Sequence, residues 1–381
     1  MPSSDFTSLD ELSAGQLPAH NTLESRFALE QSNNERSEQE RNALVNAMDF
    51  GRSFTDYMAS AAWTAGEGWK EKKICAFGNI SLSPAASILH YGQEVFEGMK
   101  AYCHPDNSVW SFRPKYNAVR FNISAARMNM PALPEEDYIA SVVGLVTKDK
   151  KWVPSIAGSA LYLRPFMFAD EPFLGVRSSN SVRYLCIASP VGPYFGNGVS
   201  SVDIWVEKHF HRAGPGGTGY VKTAGNYACA TLPQEKAKAK GFNQVCFLDA
   251  VHNRFVEELG GMNIFVVYRD GTVATPALTG TILEGSVRSS ILQLLNRENI
   301  SAVEKQIDIN ELIDDIRAGE VVEVFACGTA AVIAPIGRLV SDDFDVSIPG
   351  GELTKYLYDT LTGIQTGVVE DTFGWMYKLC D

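Results

Sequence analysis

Between positions 244 and 275 four apolar segments, QVCFLD, RFVEEL, NIFVVY and TVAT, follow one another across turns too short to hold a helix. Strands joined that tightly cannot all be parallel, because a parallel crossover needs a dozen or more residues. The stretch therefore demands a mixed or antiparallel sheet, and its neighbours say what accompanies it. GSVRSSILQLLNREN (285–299), opened by Gly285 and Ser286, and residues 310–318 read as helices, and VVEVFA adds a strand before the turn CGTAA at 327–331. Further upstream, KYNAVRFNISAARMN (115–129) sets Val119, Ile123 and Ala126 on one helical face, and EEDYIASVVGLVTKD (135–149) follows as a second helix. ALYLRPFMFA (160–169) and SVRYLCIAS (181–189) read as buried strands.

The fold class is thus α/β, and 381 residues exceed one typical domain, so two domains are expected. PVGPYFGNG (190–198) is the densest Pro/Gly punctuation in the middle of the chain. It places a first α/β domain at 46–189, a linker at 190–200 and a second, larger α/β domain at 201–381. Residues 1–45 are polar, with few apolar anchors around SNNERSEQERN, and are expected to form a mobile extension with a short helix near its end.

A net charge of −12 argues against nucleic acid and anionic membrane as partners and leaves small molecules. The seven cysteines form no CxxC pair and are odd in number, which suits free thiols in a reducing cytoplasm. No metal-ligand spacing is present. No apolar run reaches the roughly 18 residues of a membrane span, so a cytoplasmic protein is expected.

The chemistry concentrates in GPGGTGYVKTAGNY (214–227), where Lys222 sits in a glycine-rich turn rather than on a solvated helix. An amine with so little bulk around it can be approached by a planar ligand, which is what Schiff-base chemistry needs. Tyr227 follows as a phenol able to bond a ring hydroxyl. Strand alternation puts Tyr162 and Arg164 on one face, where a phenol and a guanidinium could receive a carboxylate. Arg120 lies at the centre of the helix 115–129. The amides at Gly285-Ser286-Val287 open a helix and would suit a phosphate. Glu257 and Glu258 are adjacent in an extended segment, so only one of them can face a given ligand. Together these are the parts needed to hold pyridoxal phosphate, with a carboxylate against its pyridine nitrogen. The alternative is a dinucleotide oxidoreductase, since Gly214 to Gly219 matches G-x-G-x-x-G literally. Its context fails, because no strand leads directly into it and no helix opens on it.

LHYGQEVFEGMKAY, LYLRPFMFADEPFLGV, GGTGYVKTAGNY, EELGGMNIF and ACGTAAVIAP closely resemble the branched-chain amino acid aminotransferases, fold-type IV pyridoxal phosphate enzymes, from about Phe50 onward. The resemblance implies a homodimer, two α/β domains per chain, and the cofactor in the interdomain cleft. It implies Lys222 as the Schiff-base lysine and general acid/base, Tyr227 at the ring hydroxyl and Glu258, rather than Glu257, at the pyridine nitrogen. Arg120, the Ser286 and Val287 amides and the Thr329 side chain correspond to the phosphate site, and Arg212 to a residue near the cofactor. Phe50, Tyr91, Tyr162 and Tyr194 match the substrate pocket, Tyr162 with Arg164 would take the distal carboxylate of glutamate, and the Thr329 and Ala330 amides the α-carboxylate. The implied reaction moves the amino group of leucine, isoleucine or valine to 2-oxoglutarate. D-amino acid transfer and aminodeoxychorismate lysis share the fold type, and the aromatic pocket motifs disfavour both. The sequence departs mildly from the family pattern: Glu284 stands where many members have proline, and Ser286-Val287 replaces the commoner Ile-Thr or Val-Thr. The CxxC pair of some relatives is replaced by Ala331 and Ala334.

Overall fold

The computed structural model describes residues 8–192 and 201–381; Tyr194 and most of the expected linker at 190–200 lie outside the described residues. Two compact units result. The first holds residues 8–192, 222–224 and 362–381, the second residues 201–221 and 225–361.

Strands of the first unit are β1 (Ala28–Leu29), β2 (Tyr57–Thr64), β3 (Gly68–Ala76), β4 (Glu94–Phe96), β5 (Met99–Cys103), β6 (Val109–Phe112), β7 (Ala160–Ala169) and β8 (Ser181–Val191). Its helices are α1 (Leu9–Leu12), α2 (Glu38–Ala47), α3 (Ile88–Tyr91), α4 (Pro114–Arg127) and α5 (Glu135–Lys148). The sheet runs β1-β3-β2-β8-β7-β5-β6, and β4 pairs with β7. Helix α4 starts with Pro114 at its first turn, where the missing N–H costs nothing, and buries Ala118, Phe121 and Ala125. Of the face expected from the sequence, Val119 is buried and Ile123 half-buried, but Ala126, near the end of the helix, is exposed. Helix α5 carries Glu135, Glu136 and Asp137 in its first turn, where they meet the positive end of the helix dipole. Its Tyr138 ring lies 5.4 Å from Phe121, and Tyr184 of β8 lies 5.9 Å from the same ring. These contacts tie both helices to the sheet.

The expectation of a mobile tail fails for the residues described before position 48. Leu23 and Phe27 are each only 2% exposed and belong to the core under the sheet. Strand β1 pairs in parallel with β3, and Arg26 reaches the buried Asp137 at 2.8 Å. Ser37 and Glu40 form a reciprocal capping box that starts α2.

The second unit contains β9 (Val202–Glu207), β10 (Gln244–Leu248), β11 (Val256–Leu259), β12 (Asn263–Tyr268), β13 (Val273–Pro276), β14 (Ala302–Lys305), β15 (Val321–Gly328), β16 (Val332–Val340) and β17 (Asp345–Ser347). Helices α7 (Thr231–Ala239), α8 (Ser286–Arg297) and α9 (Ile309–Ala318) accompany them, with the greater parts of α6 (Ala224–Ala228) and α10 (Glu352–Gln365). The sheet order is β11-β10-β9-β16-β15-β12-β13-β14, with β17 beside β16. The tight 244–276 stretch gives antiparallel β10–β11 and β12–β13 pairs, while β9–β10 and β13–β14 are parallel, so the sheet is mixed. Helix α9 buries Ile309, Leu312, Ile313 and Ile316 and stops at Gly319, whose φ of +76° suits glycine.

A final strand, β18 (Met376–Cys380), pairs antiparallel with β6. Residues 362–381 therefore belong to the first unit and not to the second, where the sequence reading placed them. Among the described residues no helix is long and apolar enough to cross a membrane.

Candidate active site

In the first unit, strand β4 and helix α4 converge on Lys222. The amide of Phe96 donates to the Lys222 carbonyl at 3.1 Å, and the Lys222 amide donates to Ser124 Oγ of α4 at 3.0 Å. Lys222 Nζ lies 4.8 Å from the centre of the Phe96 ring, and Arg164 Cζ lies at the same 4.8 Å from that ring. Arg164 Nη2 donates to Tyr162 Oη at 3.1 Å, as expected for neighbours on one face of β7. Tyr162 is 9% exposed and packs edge-on against Phe50, with ring centres 4.9 Å apart. Close approach here needs a glycine: a Cβ on Gly98 would fall 2.1 Å from Tyr162 Oη. Tyr91 is exposed and donates to the Leu174 carbonyl.

Arg120 is buried in α4, where its Nε and Nη2 donate to the two oxygens of Glu97 at 2.7 and 2.8 Å. Asn117 Nδ2 and the Gly98 amide add donors to Glu97 at 2.8 and 3.1 Å. Burial works to raise the Glu97 carboxyl, yet Arg120, with Lys222 and Asn117, holds it below the usual carboxylate range. Glu94, two residues earlier than Phe96, is half-buried, and desolvation pushes it up to about 7 against the pull of the Ala224 amide, Arg164 and Lys222.

In the second unit, Arg212 is 3% exposed, its Nη1 donates to the Gly219 and Thr281 carbonyls at 3.1 Å, and the same nitrogen forms an ion pair with Glu258 Oε1 at 2.8 Å. Glu258 Oε1 also accepts the Leu283 amide at 2.8 Å. Glu257 faces elsewhere. It accepts a bond from Thr281 Oγ1 and lines a cleft of about 120 Å³ with Asp249, His252 and Thr279. Burial first, and then the nearby Asp249, raise its carboxyl. Gly285 caps α8 without a side-chain bond, and a Cβ on it would fall 2.2 Å from Asn263 Oδ1, so the chain passes close to β12 there. Ser286 and Val287 begin α8, both buried. Thr329 and Ala330 lie in the turn between β15 and β16, which closes at Val332 with φ +60°. A β-branched residue rarely adopts that conformation, so the surroundings must hold the turn. Tyr227, on α6, sets its Cε1 3.6 Å from where a Gly261 Cβ would stand.

Gly214 to Gly219 form a turn, with the Gly217 amide bonded to the Gly214 carbonyl at 3.0 Å, and the next helix begins only at Ala224. The run neither follows a strand immediately nor opens a helix, so the dinucleotide alternative falls.

A family model for class IV amino-transferases matches residues 94–339. The chain belongs to the class IV aminotransferases. Within that class it stands with the branched-chain-amino-acid aminotransferases, being 46% identical over 360 residues to the Mycolicibacterium smegmatis enzyme of that name, covering 93% of this chain and 98% of that protein. The crystal structure of the Escherichia coli branched-chain amino acid aminotransferase superposes with a TM-score of 0.69 at 26% identity, covering 84% of this chain and 99% of that one. The T.th. branched-chain amino acid aminotransferase, solved with pyridoxamine 5′-phosphate, shares the fold with a TM-score of 0.68 at 24% identity, over 84% of this chain and 99% of that one.

Glu94, Glu97 and Ser124 were not singled out from the sequence, and Phe96 only as an aromatic residue packed near Gly98, with no role in the site. The signal available for Glu94, Phe96 and Glu97 was EVFEG itself, a carboxylate on each side of an aromatic residue just before a glycine that packs on Tyr162.

Proposed function

We propose that this aminotransferase moves the amino group of leucine, isoleucine or valine to 2-oxoglutarate, with pyridoxal phosphate attached at Lys222. The observation that carries the reading is Lys222 itself. It is gripped through its main chain by β4 and α4, and its amine lies beside Phe96 in the company of the Tyr162–Arg164 pair.

The residues fit such a cofactor. Arg212 Nε and Nη2 are buried without a hydrogen-bond partner among the described residues, the kind of donor a bound polar group would satisfy. Helix α8 opens on Gly285 without a side-chain cap, the kind of helix N-terminus that suits an anion. When bound, pyridoxal phosphate supplies an electron sink for the substrate's α-carbon. Glu258, fixed by Arg212 and the Leu283 amide, would accept from the pyridine nitrogen, and Tyr227 would bond the ring hydroxyl. The Ser286 and Val287 amides, Thr329 and Arg120 would hold the phosphate, with Arg120 oriented by Glu97. Lys222 would take the proton from the substrate α-carbon and return it during transfer. Phe50, Tyr91, Tyr162 and Tyr194 would line the side-chain pocket. Tyr162 and Arg164 would take the second carboxylate of glutamate, and the Thr329 and Ala330 amides the α-carboxylate. We also infer a homodimer acting in the cytoplasm.

The test is direct. The purified protein is expected to be yellow and to lose that colour on addition of a branched-chain L-amino acid. Lys222→Ala is expected to lower the half-reaction rate by a factor on the order of 10³ or more while the protein stays folded. A borohydride-reducible bond at another lysine with normal turnover would overturn the assignment. Lys100, buried and pushed down to about 8, is the alternative to check first.

A further inference from the structure

We propose that Glu94 is a positioning residue for Lys222: its carboxylate, with the main chain of β4, fixes the Lys222–Ala224 segment so that the lysine amine is presented in one place. The role assigned to the amine rests on the functional reading above; the clamp itself rests on geometry.

The segment that carries Lys222 has little means of holding its own shape. It follows the glycine run at 214–219 and precedes Gly225, and glycine loses more backbone freedom on ordering than any other residue. The order is imposed from β4 and α4. Phe96 holds the Lys222 carbonyl and Ser124 holds the Lys222 amide, as described. Thr223 Oγ1 donates to the Glu94 carbonyl at 2.7 Å, and the Ala224 amide donates to Glu94 Oε2 at 3.0 Å. Three consecutive residues are thus each tied to a partner distant in sequence. Among these ties only the one from Glu94 is made by an ionisable side chain, and a hydrogen bond to a charged acceptor is roughly twice as strong as a neutral one.

The location of the carboxylate also has an electrostatic reason. Residues 94 and 96 point to the same side of β4. The Glu94 carboxylate therefore shares a face with the Phe96 ring, beside which Arg164 and Lys222 both lie. Both cations favour its ionised form, as does the Ala224 amide, while burial opposes it. A neutral side chain at 94 would leave the two cations without this counter-charge. An apolar one would in addition leave the Ala224 amide without its acceptor.

The test compares Glu94→Ala and Glu94→Gln in the full chain, stripped of cofactor, by amide hydrogen exchange. Glutamine keeps an oxygen that can accept from Ala224 and removes the charge; alanine removes both. Glu94→Ala is expected to raise exchange at residues 222–226 about tenfold, the scale of one charge-assisted hydrogen bond, with β7 and β8 unchanged. Glu94→Gln, which keeps the bond at about half its strength, is expected to raise exchange only about threefold. On re-addition of pyridoxal phosphate, covalent attachment should slow in the alanine variant and recover in the glutamine variant. Unchanged exchange at 222–226 in Glu94→Ala, or equal loss in both variants, overturns the proposal. Should Glu94→Ala not fold, Thr223→Val removes the neighbouring tie. It is expected to raise exchange at the same amides by a smaller factor, and no rise there also overturns the proposal. Failure of the functional reading would look different: the unaltered protein would take up no pyridoxal phosphate, whereas the exchange measurements need none.

Discussion

Two deeply buried arginine–glutamate pairs stand out among the described residues, and they are finished differently. In the first unit Arg120 meets Glu97 through two nitrogens and two oxygens, and Asn117 and the Gly98 amide answer the remaining capacity of the carboxylate. In the second unit Arg212 meets Glu258 through one nitrogen, spends the same nitrogen on two main-chain carbonyls, and keeps Nε and Nη2 buried without partners among the described residues. Desolvating a charge costs several kcal/mol unless its bonds are made. A pair that closes on itself is therefore a structural lock that aims a side chain. A pair left with unmet donors is built to finish its bonds on something else. The first role suits the VFEG segment that also grips Lys222, and the second suits a carboxylate proposed to face a cofactor ring.

That contrast can be broken by removing one partner at a time. The largest effect is expected for Glu97→Ala, which strands Arg120 in the core and should cost about 3–5 kcal/mol of unfolding free energy. Chemical denaturation measures it, and a loss under about 1 kcal/mol, the value of an exposed pair, would mean that the pair is no lock. Next comes Glu258→Gln. Its neutral side chain can still accept from Leu283, so the fold should hold, while kcat for the half-reaction falls by roughly 10–100-fold with little change in KM. Stopped-flow measurement of the half-reaction decides it.

Glu257→Gln sharpens the comparison from the neighbouring position. It should leave the half-reaction within about threefold, and a loss equal to that of Glu258→Gln would show that the faces of β11 have been misassigned. Its mark should be on stability instead. The Glu257 carboxyl is raised by burial, so the folded state holds its proton more tightly than the unfolded one. The associated stability is present below the ordinary glutamate pKa and is lost as pH rises through the raised value. Relative to the unaltered protein, Glu257→Gln should therefore gain stability as pH is raised across that window, which melting at a series of pH values would reveal.

The smallest expected effect is none at all. Ala331 and Ala334 offer no thiols beside the β15–β16 turn, and burial pushes the Cys327 thiol up to about 12. Mild peroxide followed by dithiothreitol should produce no reversible loss of activity traceable to Cys327. Recovery of activity by the reductant, mapped to that residue, would contradict this.

How much of this could be read from the sequence depended on whether the signal was local. Helices α4, α5 and α9 and strands β7 and β8 were legible because their apolar residues repeat at the period of the element. The opposite facing of Glu257 and Glu258 was legible because strand alternation allows nothing else, and the Tyr162–Arg164 pair for the same reason. The packed segment before position 48 was misread because its anchors, Leu9, Leu23 and Phe27, are spaced too irregularly to form a pattern. Helix α10 and strand β18 were not read at all. The ties from Glu97 to Arg120 and from Glu94 to Ala224 span 23 and 130 residues, and no window along the chain can show them.

The pairing of β18 with β6 has a consequence for how the protein comes into being. Strands of the second sheet are all synthesised by residue 347, yet the edge of the first sheet waits for residues 376–380. As the chain leaves the ribosome, β6 therefore stands as an unpaired edge throughout synthesis of the whole second unit. An exposed edge is a template for wrong partners. The earliest part of the chain to be made is thus among the last to be sealed, and aggregation during production should respond to changes in these few residues more than to changes in the second sheet.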